Sequence, residues 1–565
     1  MTRWLPLSLA LLALGLASVG RGADWPQYRC DASRSASSSE QLPEQLQLQW
    51  VRHLPAPKPA FPGEVRLWYD ATYEPVVMGR TMFVPSMVSD SVTALDTETG
   101  AKQWQFFAEG PVRFAPVAWQ GAVYFVSDDG YLYCVEAADG KLRWKFHGLP
   151  PGKKDRKLLG SGRLISLYPA RGGPVLHEGV LYFAAGLWST YGVAIHAVDA
   201  ASGRVIWSNT DSNKIPKANQ DHGIAHYAGL TPQGYLAVVG EKLVVPCGPQ
   251  LPAFLDLKTG ALGTYCMGWG GRNGLPKGTW FVAGAGNYLS HGGDLYDISR
   301  PNDERFAKPP KGPDFKAMLY AGAFTRVHVD PTNQKDLGAF GQPVFASGVM
   351  YHDEQGIVAS DLGSARLEER SAAEAAKSQP DDPFPDKWKA AFRELWRLPS
   401  KLRVHVRAGE HLYLGGDGAV EAVRIPQQGE PPRVVWRAPV EGTPHRLLAA
   451  DGKLFVVTRQ GAILAFGGQK PANPLVHPAP APPAPPADAW TKTAAEILQA
   501  TGVRDGYALV LGLQTGRLVE ELIRQSDLDV IAIDPDADKV AGVRRRLHAA
   551  GRYGARASVH VGDPL

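Results

Sequence analysis

Cysteine is scarce in this sequence, with four residues in 565. No Cys-x-x-Cys-His segment occurs, which excludes a covalently attached c-type haem, and no two cysteines are adjacent. Cys247 and Cys266 lie on consecutive strand-like segments, and an exported chain would meet an oxidising compartment. These two residues are therefore the one disulfide pairing to test.

An excess of one charge is also missing. Lysine and arginine number 60 against 56 aspartates and glutamates, so the formal net charge is only +4. The short basic run Lys153-Lys-Asp-Arg-Lys157 has no aromatic residue within it and is typical of a solvated loop. We predict no nucleic-acid partner, because neither feature provides the basic surface that such binding needs.

Long apolar runs are absent except at the N-terminus. Arg3 precedes an apolar stretch from Leu5 to about Val19, which is followed by small residues. This pattern predicts a secretory signal peptide over residues 1–22, and the stretch is short for a transmembrane anchor, which is the alternative. We therefore expect a periplasmic or otherwise extracytoplasmic protein with no membrane span in the mature chain.

What the sequence does have is a repeat of an acid, a glycine and a tryptophan. It occurs in Asp96-Thr-Glu-Thr-Gly100-Ala-Lys-Gln-Trp104, and returns in residues 136–144 and 199–207. A fourth copy, Asp256-Leu-Lys-Thr-Gly260, keeps the turn and lacks the tryptophan. Two short runs rich in β-branched and aromatic residues precede each turn, which predicts an antiparallel meander. Such units stack radially as propeller blades of about 40 residues, with the tryptophan packed between neighbours.

The segment from Ala94-Leu-Asp96 through Gly100 to Trp104 resembles the tryptophan-docking repeat of quinoprotein-type, PQQ-like β-propellers. The resemblance implies a mainly β fold, a closed seven- or eight-bladed propeller over residues 23–468. The alternating strand Leu46–Leu54 has no blade before it, and the last blade lacks a final strand. We predict that this strand completes the last blade and removes a free sheet edge. High helix propensity also predicts a helical insert over residues 365–377.

A Pro/Ala-rich stretch over residues 469–488 predicts an extended linker, and the chain changes class after it. Residues 489–565 read as strand, helix, strand, helix, strand, a partial α/β Rossmann-like segment. The loop Gly512-Leu-Gln-Thr-Gly516 resembles the Gly-x-Gly-x-Gly loop of class I S-adenosylmethionine-dependent methyltransferases, with Gln514 in place of one glycine.

That resemblance implies S-adenosylmethionine as cofactor. Gly512, Gln514 and Gly516 would lie along its methionine part, Asp534 would hold the ribose, and Asp563 would face the adenine. The strand that usually carries catalytic residues in this family would follow Leu565. The segment is therefore predicted to be incomplete as a methyltransferase.

Quinoprotein dehydrogenases that resemble the propeller hold PQQ over a tryptophan, with Ca²⁺ and often a vicinal disulfide. No such constellation can be assigned from the sequence, so neither PQQ nor a metal is expected, and no catalytic residue is assigned. His222 and His226 have a metal-like spacing, but Gly223 disfavours the helix on which that spacing would matter.

The sequence as a whole favours a non-catalytic binding or scaffold module rather than an enzyme. A propeller face would offer a rigid platform for a protein or glycan partner. Two alternatives stay open. One is a methyltransferase whose catalytic half lies beyond this chain, and the other is a PQQ-dependent dehydrogenase.

Overall fold

A computed structural model describes most of the chain after the predicted signal peptide. The described residues are 22–221, 224–248, 250–264, 278–292, 294–299, 318–320, 342–353, 356–369, 371–375, 388–427, 429–481 and 488–563. All but the last residue of the predicted signal peptide lie outside these ranges, as do His222 and Cys266. The signal peptide and the disulfide therefore stay predictions.

Eight antiparallel sheets of four strands each, here called blades A to H, form the propeller. From the inner to the outer strand, the first four blades are A (Val76–Met78, Thr81–Ser86, Ser91–Asp96, Lys102–Phe107), B (Val117–Trp119, Ala122–Val126, Tyr131–Glu136, Leu142–His147), C (Gly172–His177, Val180–Ala185, Ala194–Asp199, Val205–Asn209) and D (Ala237–Val239, Lys242–Cys247, Gln250–Asp256, Leu262–Thr264). The other four are E (Ala283–Ala285, Tyr288–His291, Asp294–Asp297, Met318–Tyr320), F (Val344–Ala346, Val349–Asp353, Ile357–Glu369, Trp388–Leu398), G (Arg403–Ala408, His411–Gly416, Ala419–Arg424, Arg433–Pro439) and H (Pro444–Ala450, Lys453–Thr458, Ala462–Gly467, Gln47–His53). The mainly β propeller is confirmed, and its blade number is eight.

The repeated glycine and tryptophan join neighbouring blades. Gly140 of blade B has a φ of +74°, and a Cβ there would lie 2.6 Å from the Trp104 ring of blade A. Trp104 also donates from Nε1 to the Ala137 carbonyl at 2.9 Å. Only glycine permits both the left-handed turn and the close ring contact. The same contact occurs in three further pairs, Trp50 with Gly100, Trp144 with Gly203 and Trp207 with Gly260.

The N-terminal strand closes the ring as predicted. Gln47–His53 pairs antiparallel with Ala462–Gly467 and forms the outer strand of blade H. Leu475–His477, from the start of the predicted linker, adds a parallel fifth strand outside it. The two ends of the propeller are therefore held in one sheet.

Residues 23–38, here called the hub segment, run through the centre of the ring and reach every blade. In order from A to H, the hydrogen-bonded pairs are Trp25 with Val77, Pro26 with Ala118, Gln27 with Leu176, Ala32 with Val238, Ser33 with Gly284, Ser35 with Phe345, Ala36 with Arg407 and Ala23 with Asp451. Ser37–Ser38 continues as a short strand parallel to the inner strand of blade G. The hub segment thus fills the central channel along the inner strands.

Several short elements connect the blades. The two hairpins are Lys157–Gly160 with Arg163–Ser166 and Ile215–Asp221 with Ile224–Ala228, Gly234–Tyr235 pairs with blade C, and 3₁₀ turns lie at Val65–Leu67 and Asp211–Asn213. The helix predicted over residues 365–377 is wrong for most of its described part. Strand Ile357–Glu369 continues through it, and only Ala372–Ala375 is helical. Pairing with Trp388–Leu398 overrides the local helix propensity.

After the linker, helix Ala489–Thr501 precedes strand Asp505–Leu511, helix Arg517–Gln525, strand Asp527–Asp534, helix Ala537–Ala549 and strand Ala557–Val561. The three strands form one parallel sheet with the middle strand at its centre. Assignment of this C-terminal unit to the Rossmann-like methyltransferase class stays a prediction. Among the described residues, no helix is both long and apolar enough to cross a membrane.

The C-terminal unit rests on blades A and B. Arg544 pairs with Glu109 at 2.5 Å and donates to the Val559 carbonyl, so one guanidinium ties the sheet, a helix and the propeller together. Phe107 packs edge-on against Tyr553, with ring centroids 5.7 Å apart.

Candidate functional site

A cavity of about 220 Å³ lies where the inner strands of blades E to H begin, above the hub segment. We call it the funnel. Its described lining is cationic and aromatic, and it includes Arg29, Trp68, Trp280, Asp353, Lys401, Arg403, His405, Asp417, His445, Arg446 and Arg459. They come from the hub segment, from the starts of inner strands and from the ends of second strands and the turns after them, except that Trp68 follows the 3₁₀ turn Val65–Leu67.

Arg446 is the best-anchored cation of the funnel. Its Nε lies 2.5 Å from a Glu74 carboxylate oxygen, and both side chains are almost out of solvent. The guanidinium carbon also lies 5.5 Å from the centroid of the Trp280 ring and 5.9 Å from that of Tyr28. Cation–π contact therefore fixes Trp280 at the wall while Glu74 fixes the charge.

Arg29 brings a second guanidinium up from the hub segment. Its hydrogen bonds go to neutral acceptors, namely the carbonyls of Arg34 and Pro343 and the side-chain oxygen of Gln342. Burial lowers its pKa to about 10, which still leaves the group charged at neutral pH. A buried cation held by neutral acceptors retains the capacity to bind an anion.

Arg459 and Arg403 add charge at the rim. The Arg459 guanidinium carbon lies 5.2 Å from the centroid of the Trp68 ring. Its pKa is lowered by burial and then by the charges of Arg403 and Arg446. The effect of these two charges on the pKa of Arg459 shows that the three guanidinium groups lie close together.

The two funnel histidines are neutral for the same reason. Burial, followed by the charges of Arg446 and Arg403, lowers the pKa of His405 to about 3. Burial and Arg446 also bring the pKa of His445 well below its usual value. Both imidazoles therefore stay uncharged in the pH range where most enzymes work.

Asp353 is the carboxylate with the most perturbed ionisation in the funnel. It ends the second strand of blade F and accepts a hydrogen bond from the Val404 amide at 3.0 Å. Burial raises its pKa to about 6, although that hydrogen bond and Arg403 act in the opposite direction. A carboxylate with this pKa can take up a proton near neutrality, as a general base must.

The opposite side of the same end of the ring is closed by a buried ion network. Arg113 contacts Asp70 and Asp128 at 2.6 Å each, and Arg171 contacts Asp128 at 2.9 Å. Burial raises the pKa of Asp128, but the charges of Arg113 and Arg171 outweigh it and lower the pKa overall. These charges neutralise one another, so the unbalanced cations are on the side of blades E to H.

A divalent metal site is not found in the part of the chain that the structure describes, since no three His, Cys, Asp or Glu side chains come together there. Ca²⁺ takes six to eight oxygen ligands. The described funnel lining therefore does not fit Ca²⁺. A planar aromatic polyanion fits better, because guanidinium groups pair with carboxylates and tryptophan faces stack on planar rings.

The residues predicted for S-adenosylmethionine lie at one edge of the C-terminal sheet. Gly512, Gln514 and Gly516 occupy the loop after its first strand, with φ values of +82°, +47° and +79°. The Gly562 amide donates to the Asp534 carbonyl, which brings the Asp563 segment beside Asp534. All five predicted positions thus gather at the carboxyl ends of the parallel strands.

The Asp534 side chain is already engaged. Its carboxylate accepts from the Leu513 amide at 2.7 Å and the Asp536 amide at 2.9 Å. These two backbone hydrogen bonds lower its pKa. An incoming ribose hydroxyl would have to share or displace them.

The funnel residues were not predicted from the sequence. Arg29, Trp280, Asp353, Arg403 and Arg446 come from distant segments, and no local motif connects them. One usable signal was Arg446, a charged residue near the start of the inner strand of the last blade. The other was the arginine density of the hub segment, with Arg29 and Arg34 five residues apart.

Fold and funnel together define an eight-bladed β-propeller built of PQQ-like repeats, with a cationic cavity at the axis. The family model that matches the chain, over residues 58–163 and 88–263, is described as outer membrane protein assembly factor BamB. The chain therefore carries the PQQ-like, BamB-type repeat fold.

Curated relatives are dehydrogenases. The glycerol dehydrogenase large subunit of Gluconobacter oxydans (strain 621H) is 26% identical over 261 residues, which cover 40% of this chain and 34% of that protein. The quinone alcohol dehydrogenase subunit of Komagataeibacter europaeus is 29% identical over 161 residues, covering 26% of this chain and 20% of that protein. The chain thus spans about a third or less of the length of these relatives.

A solved quinohemoprotein alcohol dehydrogenase from Pseudomonas putida HK5 is similar over 84% of this chain and 85% of its own, with 15% identity and a TM-score of 0.48.

These relatives correct three predictions. The expected non-catalytic binding or scaffold role is wrong, and so is the expectation that the chain is not an enzyme, because the curated relatives are dehydrogenases. The expectation that PQQ is not a cofactor is wrong as well, because the homologues are quinone-linked. Those predictions rested on the missing vicinal cysteines and calcium ligands, whereas the cations of the funnel are recognisable only in three dimensions.

Proposed function

We propose that this chain carries the cofactor- and substrate-binding part of a quinone-cofactor dehydrogenase that oxidises an alcohol outside the cytoplasm. The observation that supports this proposal most directly is the funnel, where five cationic side chains and two tryptophans surround one cavity. The dehydrogenase relatives give the reaction class.

In this proposal the arginines hold the cofactor and the tryptophans align it. Arg29 and Arg446 face it from the hub and the last blade, while Trp280 provides a ring already fixed by Arg446. Pyrroloquinoline quinone held by these residues would supply the hydride acceptor for oxidation of the carbinol carbon to an aldehyde or ketone, and the hydroxyl proton would go to Asp353.

Asp353 takes the hydroxyl proton of the alcohol at a carboxylate oxygen. Its raised pKa of about 6 makes it basic enough to accept the proton and still ionised at neutral pH. Arg403, which acts on the same carboxyl, favours the ionised form before the reaction. The closed hub below the funnel limits entry of substrate to the open end.

The test uses the purified full chain, pyrroloquinoline quinone and a panel of alcohols, with phenazine methosulfate and dichlorophenolindophenol as electron acceptors. We expect dye reduction that depends on both the quinone and an alcohol, and that is lost in Asp353→Asn. The matched control is Asp139→Asn, which changes an aspartate on an exposed turn of blade B. Absence of quinone binding, measured separately by quenching of tryptophan fluorescence, would contradict the proposal.

For the C-terminal unit we propose binding of S-adenosylmethionine at the carboxyl edge of its sheet. The gathering of Gly512, Gln514, Gly516, Asp534 and Asp563 at that edge supports it, because ligands of open parallel sheets bind there. Isothermal titration should give saturable binding that Asp534→Ala abolishes and Asp527→Ala, at the far end of the same strand, does not. No heat of binding in the wild-type chain would refute this second proposal.

A further inference from the structure

Aromatic rings fill the space between blades A and B. Phe106 lies two residues after Trp104 and contacts Phe125 and Tyr133 of blade B, with ring centroids 5.7 and 5.6 Å away. Phe125 and Tyr133 are partners in the strand register and stack on each other at 5.1 Å. Three aromatic side chains therefore occupy this part of the interface.

The interface between blades B and C repeats the arrangement. Phe146, two residues after Trp144, contacts Phe183 at 6.0 Å and His196 at 5.0 Å between ring centroids. Phe183 and His196 are again partners in the strand register. The same three positions thus supply the rings that fill both interfaces.

Blades H and A depart from this arrangement at all three positions. Arg52 stands two residues after Trp50, and the pair at the same distance before the turn acid in blade A is Val84 with Thr93. Trp50 still packs against Gly100, so the blades stay joined at that end of their interface. Where the other interfaces have rings, this one has a cavity of about 540 Å³, here called the side cleft.

The side cleft lies between the propeller and the C-terminal unit. Leu95 and Phe107 of blade A contribute apolar surface to its wall, while helix Ala537–Ala549 and the linker contribute His548 and Pro480. Protein interiors are close-packed, so a void of this size is unusual. Its volume is that of a small-molecule site, and such sites are frequent where domains meet.

The charge of the side cleft is of one sign. Its cations are Arg52, Lys102 and Arg545, and no aspartate or glutamate is among the described residues that line it. Arg52 is half-buried, and its guanidinium donates to the neutral carbonyl of Gly100 at 2.8 Å. Lys102 and Arg545 are exposed, which places them where the cleft meets solvent. Residues 482–487 of the linker, outside the described ranges, are proline and alanine and bring no carboxylate.

We propose that the side cleft is a second ligand site, which binds a small aromatic carboxylate. The ring of the ligand takes the place that side-chain rings occupy in the other two interfaces, between Val84 and Phe107, and its carboxylate pairs with Arg52. Lys102 and Arg545 attract the anion to the mouth of the cleft. The side cleft shares no described lining residue with the funnel, so its test is independent of dehydrogenase activity.

The probe is 2-naphthoate, and isothermal titration of the purified full chain measures its dissociation constant. We expect saturable binding with a constant below about 1 mM. The neutral amide, 2-naphthamide, should bind about tenfold more weakly, because it lacks the charge that pairs with Arg52. Absence of saturable binding of 2-naphthoate would overturn the proposal, and so would equal affinity for the acid and the amide.

Two substitutions locate the bound probe. Arg52→Met removes the charge and keeps an unbranched side chain, so it should raise the dissociation constant about tenfold. Thr93→Tyr introduces the residue that blade B has at this position and should abolish binding, because its ring fills the cleft. Thermal unfolding checks that both variants fold. Arg437→Met, on the outer strand of blade G, is the matched control and should leave the affinity unchanged.

The funnel needs its own control, because it is also cationic and aromatic. Asp353→Asn changes the funnel alone and should not alter the affinity for 2-naphthoate. A changed affinity in that variant would assign the probe to the funnel and overturn the proposal. Binding that Arg52→Met and Thr93→Tyr both leave unaltered would overturn it as well.

Discussion

Asp353 has a folded-state pKa of about 6 because it is buried, and this single value links catalysis to stability. Its usual pKa is near 4, so the folded protein binds this proton more tightly than the unfolded chain does. The stabilising effect of the proton is complete below the unfolded value and is lost as the pH rises through 6. Ionised Asp353 therefore lowers the stability of the protein in the range where the base is active.

The first prediction concerns this trade-off. Asp353→Asn should abolish dye-linked alcohol oxidation, whereas wild-type activity should rise with pH through about 6 as the base form accumulates. Above pH 7 the same variant should be more stable than wild type by about 1 to 3 kcal/mol. Activity profiles and thermal unfolding from pH 4 to 8 measure both effects. A variant that is inactive but less stable at high pH would show that the carboxylate is structural.

At the scale of the element, neighbouring blades are joined where the tryptophan of one blade packs against the turn glycine of the next, as Trp104 does against Gly140. Gly140 and Gly452 both have positive φ, at +74° and +69°, but only Gly140 lies against a ring. For Gly452 nothing lies within 4 Å of an added Cβ. This pair separates backbone strain from loss of docking.

We therefore predict that Gly140→Ala destabilises the propeller more than Gly452→Ala. The control should cost about 1 kcal/mol for the left-handed conformation, and Gly140→Ala about 1 to 3 kcal/mol more, because the Trp104 ring must move. Thermal unfolding of the two variants gives the difference. Equal melting temperatures would mean that the ring contact contributes nothing.

Helix Ala537–Ala549 depends on Arg544 for its position against the propeller. This arginine is almost fully buried and pairs with Glu109. Arg544→Ala should weaken the docking by about 2 kcal/mol or more, because a partly buried carboxylate loses its partner. Hydrogen exchange should then accelerate around Glu109 and along the helix, while the exposed neighbour Arg545→Ala leaves it unchanged. Unaltered exchange in both variants would place the docking energy in the Phe107–Tyr553 contact instead.

At the scale of the whole molecule, Arg34 of the hub segment holds blades C and D and the hub together. It is fully buried and donates to the carbonyls of Leu236, Pro174 and Tyr28. Arg34→Met should lower the stability of the entire propeller by about 3 kcal/mol or more, since it leaves these carbonyls unsatisfied. A single cooperative transition at a lower temperature is the expected result, with exposed Arg437→Met as control. Loss of one blade alone, seen as a separate transition, would contradict a central role for the hub.

The propeller could be predicted from the sequence because its rule is local. Gly100 and Trp104 lie four residues apart, and the same spacing recurs in successive blades. The closing strand around Trp50 was recognisable for the same reason. The helix predicted at residues 365–377 was wrong for most of its described part. Helix propensity depends on local sequence and does not include pairing with a strand some twenty residues later.

The candidate site could not be predicted, because its residues share no local pattern. Arg29 and Arg446 are separated by most of the chain and meet only when the ring closes. These arginines can be recognised as parts of a site only from their contacts with Glu74, Trp280 and the hub segment. The composition shows that positive and negative charges nearly balance over the whole chain. It does not show that several arginines lie together in the funnel.

The hub segment has a consequence for the order of events during synthesis. Residues 23–38 are made before any blade, yet their last partners, Arg407 and Asp451, are made hundreds of residues later. Until residue 467 appears, blade H lacks the strand that pairs with Gln47–His53. Every shorter nascent chain therefore has an unpaired strand and an open ring around the hub segment. The propeller therefore cannot close until residue 467 has been made, and its closure, through contacts of long sequence separation, should be slow and dependent on protection from aggregation.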